Sequence, residues 1–374
     1  MYTLNYGPHH PSTHGVLRLK LTMDGERIVK CEPVTGYLYR GVEKLVETKP
    51  FISIIPYIDR LDYLAPVISE HAYVLALEEL LQIETPRRAL IIRTIFDELT
   101  RISCHIMGIG CATYDMGLLS LFLYGFEERE AIMKIFDAVT GRRMHLTYYV
   151  PGGVVSDISD EHIIQIQAFI SQLSNYLNKV EILALNSLIF KNRTKDIGII
   201  SYSLAQQFGI LGVNMRSGGI DYDIRTVKPY GIYKEINFKP ITLDQSDCYN
   251  RTYLRYLEIK QSIDIINQCL DLIEPSEWNI YKKYKHSDGT GYFFNWKMKL
   301  PANSQVYKSV ENSRGEFGVH LFTDEDPTHP FRLHFKSPSF AIVNMLRELL
   351  VGCELADVSI ILGSLDFIMG DCDR

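Results

Sequence analysis

The chain has 374 residues, 46% of them hydrophobic and 22% charged, with a formal net charge of −6. That length and apolar share are enough for a large core, and the acidic balance excludes a nucleic-acid binder, which needs a basic surface against phosphate. Seven cysteines, at 31, 104, 111, 248, 269, 353 and 372, include no C-x-x-C pair, so no zinc ribbon or iron–sulfur motif is readable and reduced thiols are expected.

Met1–Tyr6 has neither the basic start nor the apolar run of a signal peptide, and no Arg/Ser-rich transit segment is present. A β-hairpin is expected next. Val16–Leu21 alternates apolar and basic residues, Asp24-Gly25 supplies a tight turn, and Ile28-Val29 leads back. Gly7–Thr13, rich in Pro, His, Ser and Thr, reads as a loop presented by that hairpin.

The middle of the chain is expected to be helical. Thr85-Pro86 marks a start, with Thr as cap and Pro in the first turn, and Ile91, Ile95, Leu99, Ile102 and Ile106 form one stripe. A second helix is expected over Leu118–Val139, stopped by Gly141. A third begins near Ser159 and carries Ile163, Ile166, Ile170, Leu173, Leu177 and Val180 on one face. Pro151-Gly152-Gly153 forces a turn between them. Further on, Arg216–Gly219 reads as a loop and Tyr253–Ile273 as a helix. Short strands are expected at Val319–Phe322 and Phe331–Lys336, then a helix near Phe340–Leu350 and an apolar run at Val358–Leu362. The most apolar stretch, Leu118–Phe126, is too short to span a bilayer, so membrane contact must come through a partner. The pattern describes a mainly α, α+β chain: residues 1–50 with the hairpin and its loop, a helical bundle over 51–275, and an α/β segment over 276–374, interleaved as one domain.

Three groups of residues could carry chemistry. His9, His10 and His14 crowd one loop. They compete among ordinary exposed histidines, a proton carrier titrating near neutrality, and metal ligands, in that order from spacing alone. Tyr63, after Asp59-Arg60-Leu61-Asp62, is either a core phenol or a hydrogen-bond donor to a ligand carbonyl. Asp115, at the end of an apolar helix, is either a cap or surface acid or a carboxylate that orients a histidine.

The blocks GPHHPSTHGVLRL, GYLYRGVEKL, IDRLDY, FDELTRISCH, FEEREAIMKIFDAVTGRRMH, VPGGV, MRSGGIDYDIR, DCYNRTYLR and LADVSIILGSLDFIMGDCDR run through nearly the whole chain. In that order they resemble the quinone-site subunit of respiratory NADH:quinone oxidoreductase (complex I). This is the 49 kDa family, homologous to the large subunit of nickel–iron hydrogenases. The resemblance implies a hydrogenase-like helical bundle with no redox cofactor of its own. It implies a small partner subunit holding a [4Fe–4S] cluster, a neighbouring peripheral-arm subunit, membrane-arm subunits, and ubiquinone as substrate. By the same resemblance His14, Tyr63 and Asp115 are the catalytic positions. His10, Ser12 and Thr13 share the ligand-facing loop, and Arg40 lies near the partner's cluster.

His9 departs from the family's usual Gln, Tyr39 from its His, Val150 from its Arg, and Lys336-Ser337-Pro338 from an Arg-Ala-Pro-like block. A hydrogenase large subunit is excluded by the missing C-x-x-C pairs. A plastid or cyanobacterial ferredoxin:plastoquinone relative, or a structural subunit without quinone chemistry, stands as the alternative. No Gly-rich dinucleotide fingerprint follows a strand, so NADH is expected to bind elsewhere in the assembly. Heavy use of Ile, Tyr and Asn suggests an AT-rich, organelle-encoded gene. The expected place is the matrix side of the mitochondrial inner membrane, or alternatively the cytoplasmic side of a bacterial plasma membrane.

Overall fold

A computed structural model of the protein describes residues 1–9, 15–280 and 298–374. Its N-terminal sheet has three antiparallel strands, β1 (Tyr2–Tyr6), β2 (Arg18–Asp24) and β3 (Arg27–Val34), in that order. The expected hairpin is β2–β3, turning at Gly25 with its positive φ. β1 adds a strand outside the hairpin pattern, placed by pairing with β2 from Tyr2↔Met23 to Tyr6↔Leu19. Leu17, Leu19, Leu21 and Met23 point into the core while Lys20 and Asp24 face water, as alternation dictates.

Five long helices follow: α1 (Pro66–Leu81), α2 (Arg87–Tyr114), α3 (Leu119–Thr140), α4 (Asp160–Val180) and α5 (Cys248–Asp271). α2 runs through the centre, packed most extensively on α5 and α3, and the stripe Ile91–Ile106 is buried throughout. α4 starts where expected, with the Ser159 hydroxyl accepting from His162 N and His162 Nδ1 accepting from Ser159 N in a reciprocal cap. The expected Thr85 cap of α2 is corrected. Pro86 occupies the capping position without a side-chain bond, and the Thr85 hydroxyl donates to Glu78 Oε1 at 2.7 Å.

A second sheet, β4 (Gln305–Asn312), β5 (Gly315–Phe322) and β6 (Arg332–Lys336), is an antiparallel meander laid on α1. Three helices close the chain: α6 (Pro338–Leu349), α7 (Val358–Leu365) and α8 (Met369–Asp373). The buried apolar residues form two clusters. One joins the bundle to the second sheet. The other joins the N-terminal sheet to α6, α7 and α8, so the two ends of the chain share a core. Among the described residues no helix is long and apolar enough to cross a membrane.

Candidate functional site

Tyr63 lies in the turn that leads into α1, and Asp62 fixes that turn. One oxygen of the Asp62 carboxylate accepts from the Leu64 and Ala65 N–H groups, each at 3.2 Å. The other accepts from Asn312 Nδ2 at 3.1 Å and from Arg314 Nη1 at 2.8 Å. The Tyr63 ring is thereby held half-buried at the surface of the bundle. Burial pushes its phenol above the ordinary tyrosine range. The Arg314 cation opposes that shift, while Asp62, Asp366 and Cys111 add to it.

The C-terminal segment forms the opposite wall. A Cβ at Gly370 would stand 2.7 Å from the Leu61 carbonyl oxygen and 3.5 Å from the Tyr63 ring, so only glycine permits this approach. Arg40 closes the third side, donating from Nη2 to the carbonyl oxygens of Arg60 at 2.8 Å and Gly370 at 3.3 Å. Asp373 accepts from Gly36 N at 2.8 Å and Leu38 N at 2.9 Å, pinning the Arg40 segment to α8. The result is an open cleft of about 290 Å³ lined by Tyr37, Leu38, Arg40, Arg60, Tyr63 and Gly370. Two of the residues singled out from the sequence, Tyr63 and Arg40, therefore meet in one cleft.

Asp115 sits at the C-terminal end of α2, half-buried, its N–H bonded to the Cys111 carbonyl at 3.1 Å. A helix C-terminus disfavours negative charge, so this position is a poor place for an acid that serves the helix. Cys111, one turn earlier, is the thiol whose field reaches the Tyr63 phenol, so both residues flank the same end of α2. His10, Ser12, Thr13 and His14 lie outside the described residues. The residue that follows them, Gly15, packs on Met369 of α8: a Cβ there would stand 2.9 Å from the Met369 side chain. Among the described residues no group of three or more His, Cys, Asp or Glu could hold a metal ion.

Sequence reasoning missed Asp62, Arg314, Asp366 and Gly370. Asp62 and Gly370 fall inside quoted blocks, whereas Arg314 lies in a two-residue β-turn with no local signal. Other quoted blocks have a different place. FDELTRISCH and MRSGGIDYDIR meet inside the bundle in a buried charge network completed by Glu258 of α5 and Glu311 of β4. Arg216 pairs with Glu258 at 2.7 Å and Glu311 at 2.6 Å, and Arg225 with Asp223 at 2.7 Å and Glu98 at 3.1 Å. His105 Nε2 meets Glu258 at 2.8 Å.

The fold and cleft define a helical protein whose N-terminal segment and closing helix build an open cleft at the Tyr63 turn. Residues 115–374 match the family described as respiratory-chain NADH dehydrogenase, 49 Kd subunit. The D-type subunit of NADH-quinone oxidoreductase from Rickettsia felis is 40% identical over 385 residues, covering 100% of this chain and 98% of that protein. Its counterpart from Desulforamulus reducens is 40% identical over 372 residues, with the same coverage. One from Stenotrophomonas maltophilia is 38% identical over 413 residues, covering 100% and 94%. The chain belongs to the 49 kDa family of respiratory-chain NADH dehydrogenase subunits.

Proposed function

We propose that this chain builds the quinone-reducing site of an NADH:quinone oxidoreductase, with Tyr63, His14 and Asp115 as its working residues. Family membership and the Tyr63 cleft support the reading, and the cleft carries it: a phenol exposed to an open pocket, with a guanidinium on the facing wall. Two-electron reduction of a quinone builds negative charge on both carbonyl oxygens, which must be hydrogen-bonded and then protonated. Tyr63 donates to one oxygen. The family resemblance assigns donation to the other oxygen, or supply of its proton, to His14 with Asp115, and carries His10, Ser12 and Thr13 with them. Donors fixed before charge develops stabilise it most strongly in a dry site.

The electrons come from a [4Fe–4S] cluster held by a neighbouring subunit, against which Arg40 stands. Its guanidinium is destabilised by burial and by Arg60, so an anionic neighbour would be welcome there. Exposed Ile182, Leu183, Leu188 and Ile189 crowd one short stretch, an apolar surface suited to partner subunits, and membrane contact comes through such partners. The relatives named above are bacterial and support the cytoplasmic side of a bacterial plasma membrane. They give no support to a mitochondrial location.

Tyr63→Phe tests the proposal in the purified complex. Quinone reduction is expected to fall by about 10²–10³ while NADH oxidation by an artificial acceptor is kept. Full quinone turnover in that assembled variant would overturn it. Asp115→Asn is expected to slow turnover or to uncouple it from proton pumping, and unchanged pumping with unchanged turnover would remove Asp115 from the site.

A further inference from the structure

We infer that Arg314 is a positioning residue for the Tyr63 phenol, a single guanidinium that grips both turns enclosing it. The inference rests on the quinone-site reading and extends it to a residue of the second sheet.

Three segments far apart in the chain meet at this side chain. Arg314 projects from the β4–β5 turn and is fully buried. Nη1 donates to Asp62 Oδ2 at 2.8 Å, and Nη2 to Asp366 Oδ1 at 3.2 Å. Asp62 organises the turn that bears Tyr63, through its bonds to Leu64 N and Ala65 N. Asp366 ends α7 in the left-handed region, with φ 55°, and aims the chain toward Gly370, which packs on the Tyr63 ring. One cation thus ties the floor of the cleft to its C-terminal wall. Displacing either turn would move the phenol relative to Arg40 and Gly370, and misplacement by ångströms is costly in a reacting geometry.

The charge matters as well as the grip. The groups around Tyr63 are Asp62 on its own turn, Cys111 on α2, Asp366 after α7, Arg40 and Arg60 across the cleft, and Arg314. Asp371 on α8 stands in the field of Asp62, and Arg255 on α5 lies 3.9 Å from Asp366. Arg314 is the strongest of these charges on the phenol and works against burial and against the two aspartates. A phenol that must donate to a developing oxyanion loses acidity without it. The same loss leaves the Asp62 and Asp366 carboxylates without the cation that joins them.

The test measures the pH profile of quinone reduction in the assembled complex. Arg314→Gln is expected to lower kcat on the order of 10-fold or more, and to move the alkaline limb of the profile to higher pH, since the phenol loses acidity with the cation gone. Arg314→Lys keeps the charge and loses the two-sided grip, so it is expected to lower kcat with the limbs unmoved. Asp366→Asn is expected to move the profile the opposite way, and it serves if Arg314→Gln fails to assemble. Tyr63→Phe separates the two readings. If it is inactive while Arg314→Gln and Asp366→Asn keep wild-type profiles, the inference fails and the quinone site stands. If Tyr63→Phe is fully active, the quinone-site reading fails first.

Discussion

The interior of the bundle and the junction of the chain ends are both rich in charge, and they use it differently. Around Arg216 and Arg225 each guanidinium faces two or more carboxylates, all buried, and Tyr233 and Ser262 hydroxyls complete Glu98 at 2.6 Å each. Burial alone would push the Glu258 and Glu98 carboxyls up, yet Arg216 holds Glu258 well below the carboxylate range, and Arg101 and Arg225 hold Glu98 below it. Every carboxylate of that network is paired, and its members are buried. At the junction, Arg40 and Tyr63 border an open cleft. Charge paired in the interior fixes a fold, whereas charge and hydroxyl left facing a cavity can meet a substrate.

The largest expected effect breaks the closed region. Glu258→Ala takes one of the carboxylates facing Arg216 and the ion-pair partner of His105 out of a buried site, at a cost of about 3–5 kcal/mol, read as a fall in the denaturation midpoint or loss of the subunit from the complex. A variant as stable as wild type would show that the network is not what holds α2, α5 and the 213–225 segment together.

Next comes Gly370→Ala at the junction. The added methyl meets the Leu61 carbonyl oxygen, so α8 must retreat from Tyr63, at about 1–3 kcal/mol. Quinone reduction is expected to fall more than stability does, and equal falls would argue that this wall is structural only.

A third effect depends on pH. Burial, and then the Asp62 charge, push the Asp371 carboxyl up to about 6. Its folded value lies above the unfolded one, so its contribution to stability is present below the ordinary aspartate range and is lost as pH rises through about 6. Asp371→Asn is expected to flatten thermal stability across that window, and an unflattened curve would place the proton elsewhere. The smallest effect belongs to the exposed Arg143–Glu130 pair: Arg143→Ala is expected to leave the melting temperature unmoved.

Much of this was legible in the sequence. Hydrophobic spacing located α2, α3, α4 and the β2–β3 hairpin because burial on one face imposes periods of 3.6 and 2 on any chain. The motif blocks gave the family, and Tyr63 and Arg40 came with them. β1 was hidden although Tyr2, Leu4 and Tyr6 alternate with Thr3 and Asn5, because a five-residue run is too short to announce a strand and only pairing with β2 places it. Arg314 was hidden because a lone arginine before a glycine in a turn looks solvated, and only its distant partners Asp62 and Asp366 make it buried.

The sequence alone determined where the long helices α2, α3 and α4 and the β2–β3 hairpin lie, that reduced thiols were to be expected, and which family the chain resembles. These follow from local patterning and residue chemistry. Only the tertiary structure decided that both chain ends share one core, that two motif blocks pair with Glu258 and Glu311 inside the bundle, and that one buried guanidinium clasps the turns beside Tyr63. Such pairings span up to 337 positions, between Gly36 and Asp373, and no local rule fixes contacts at that separation.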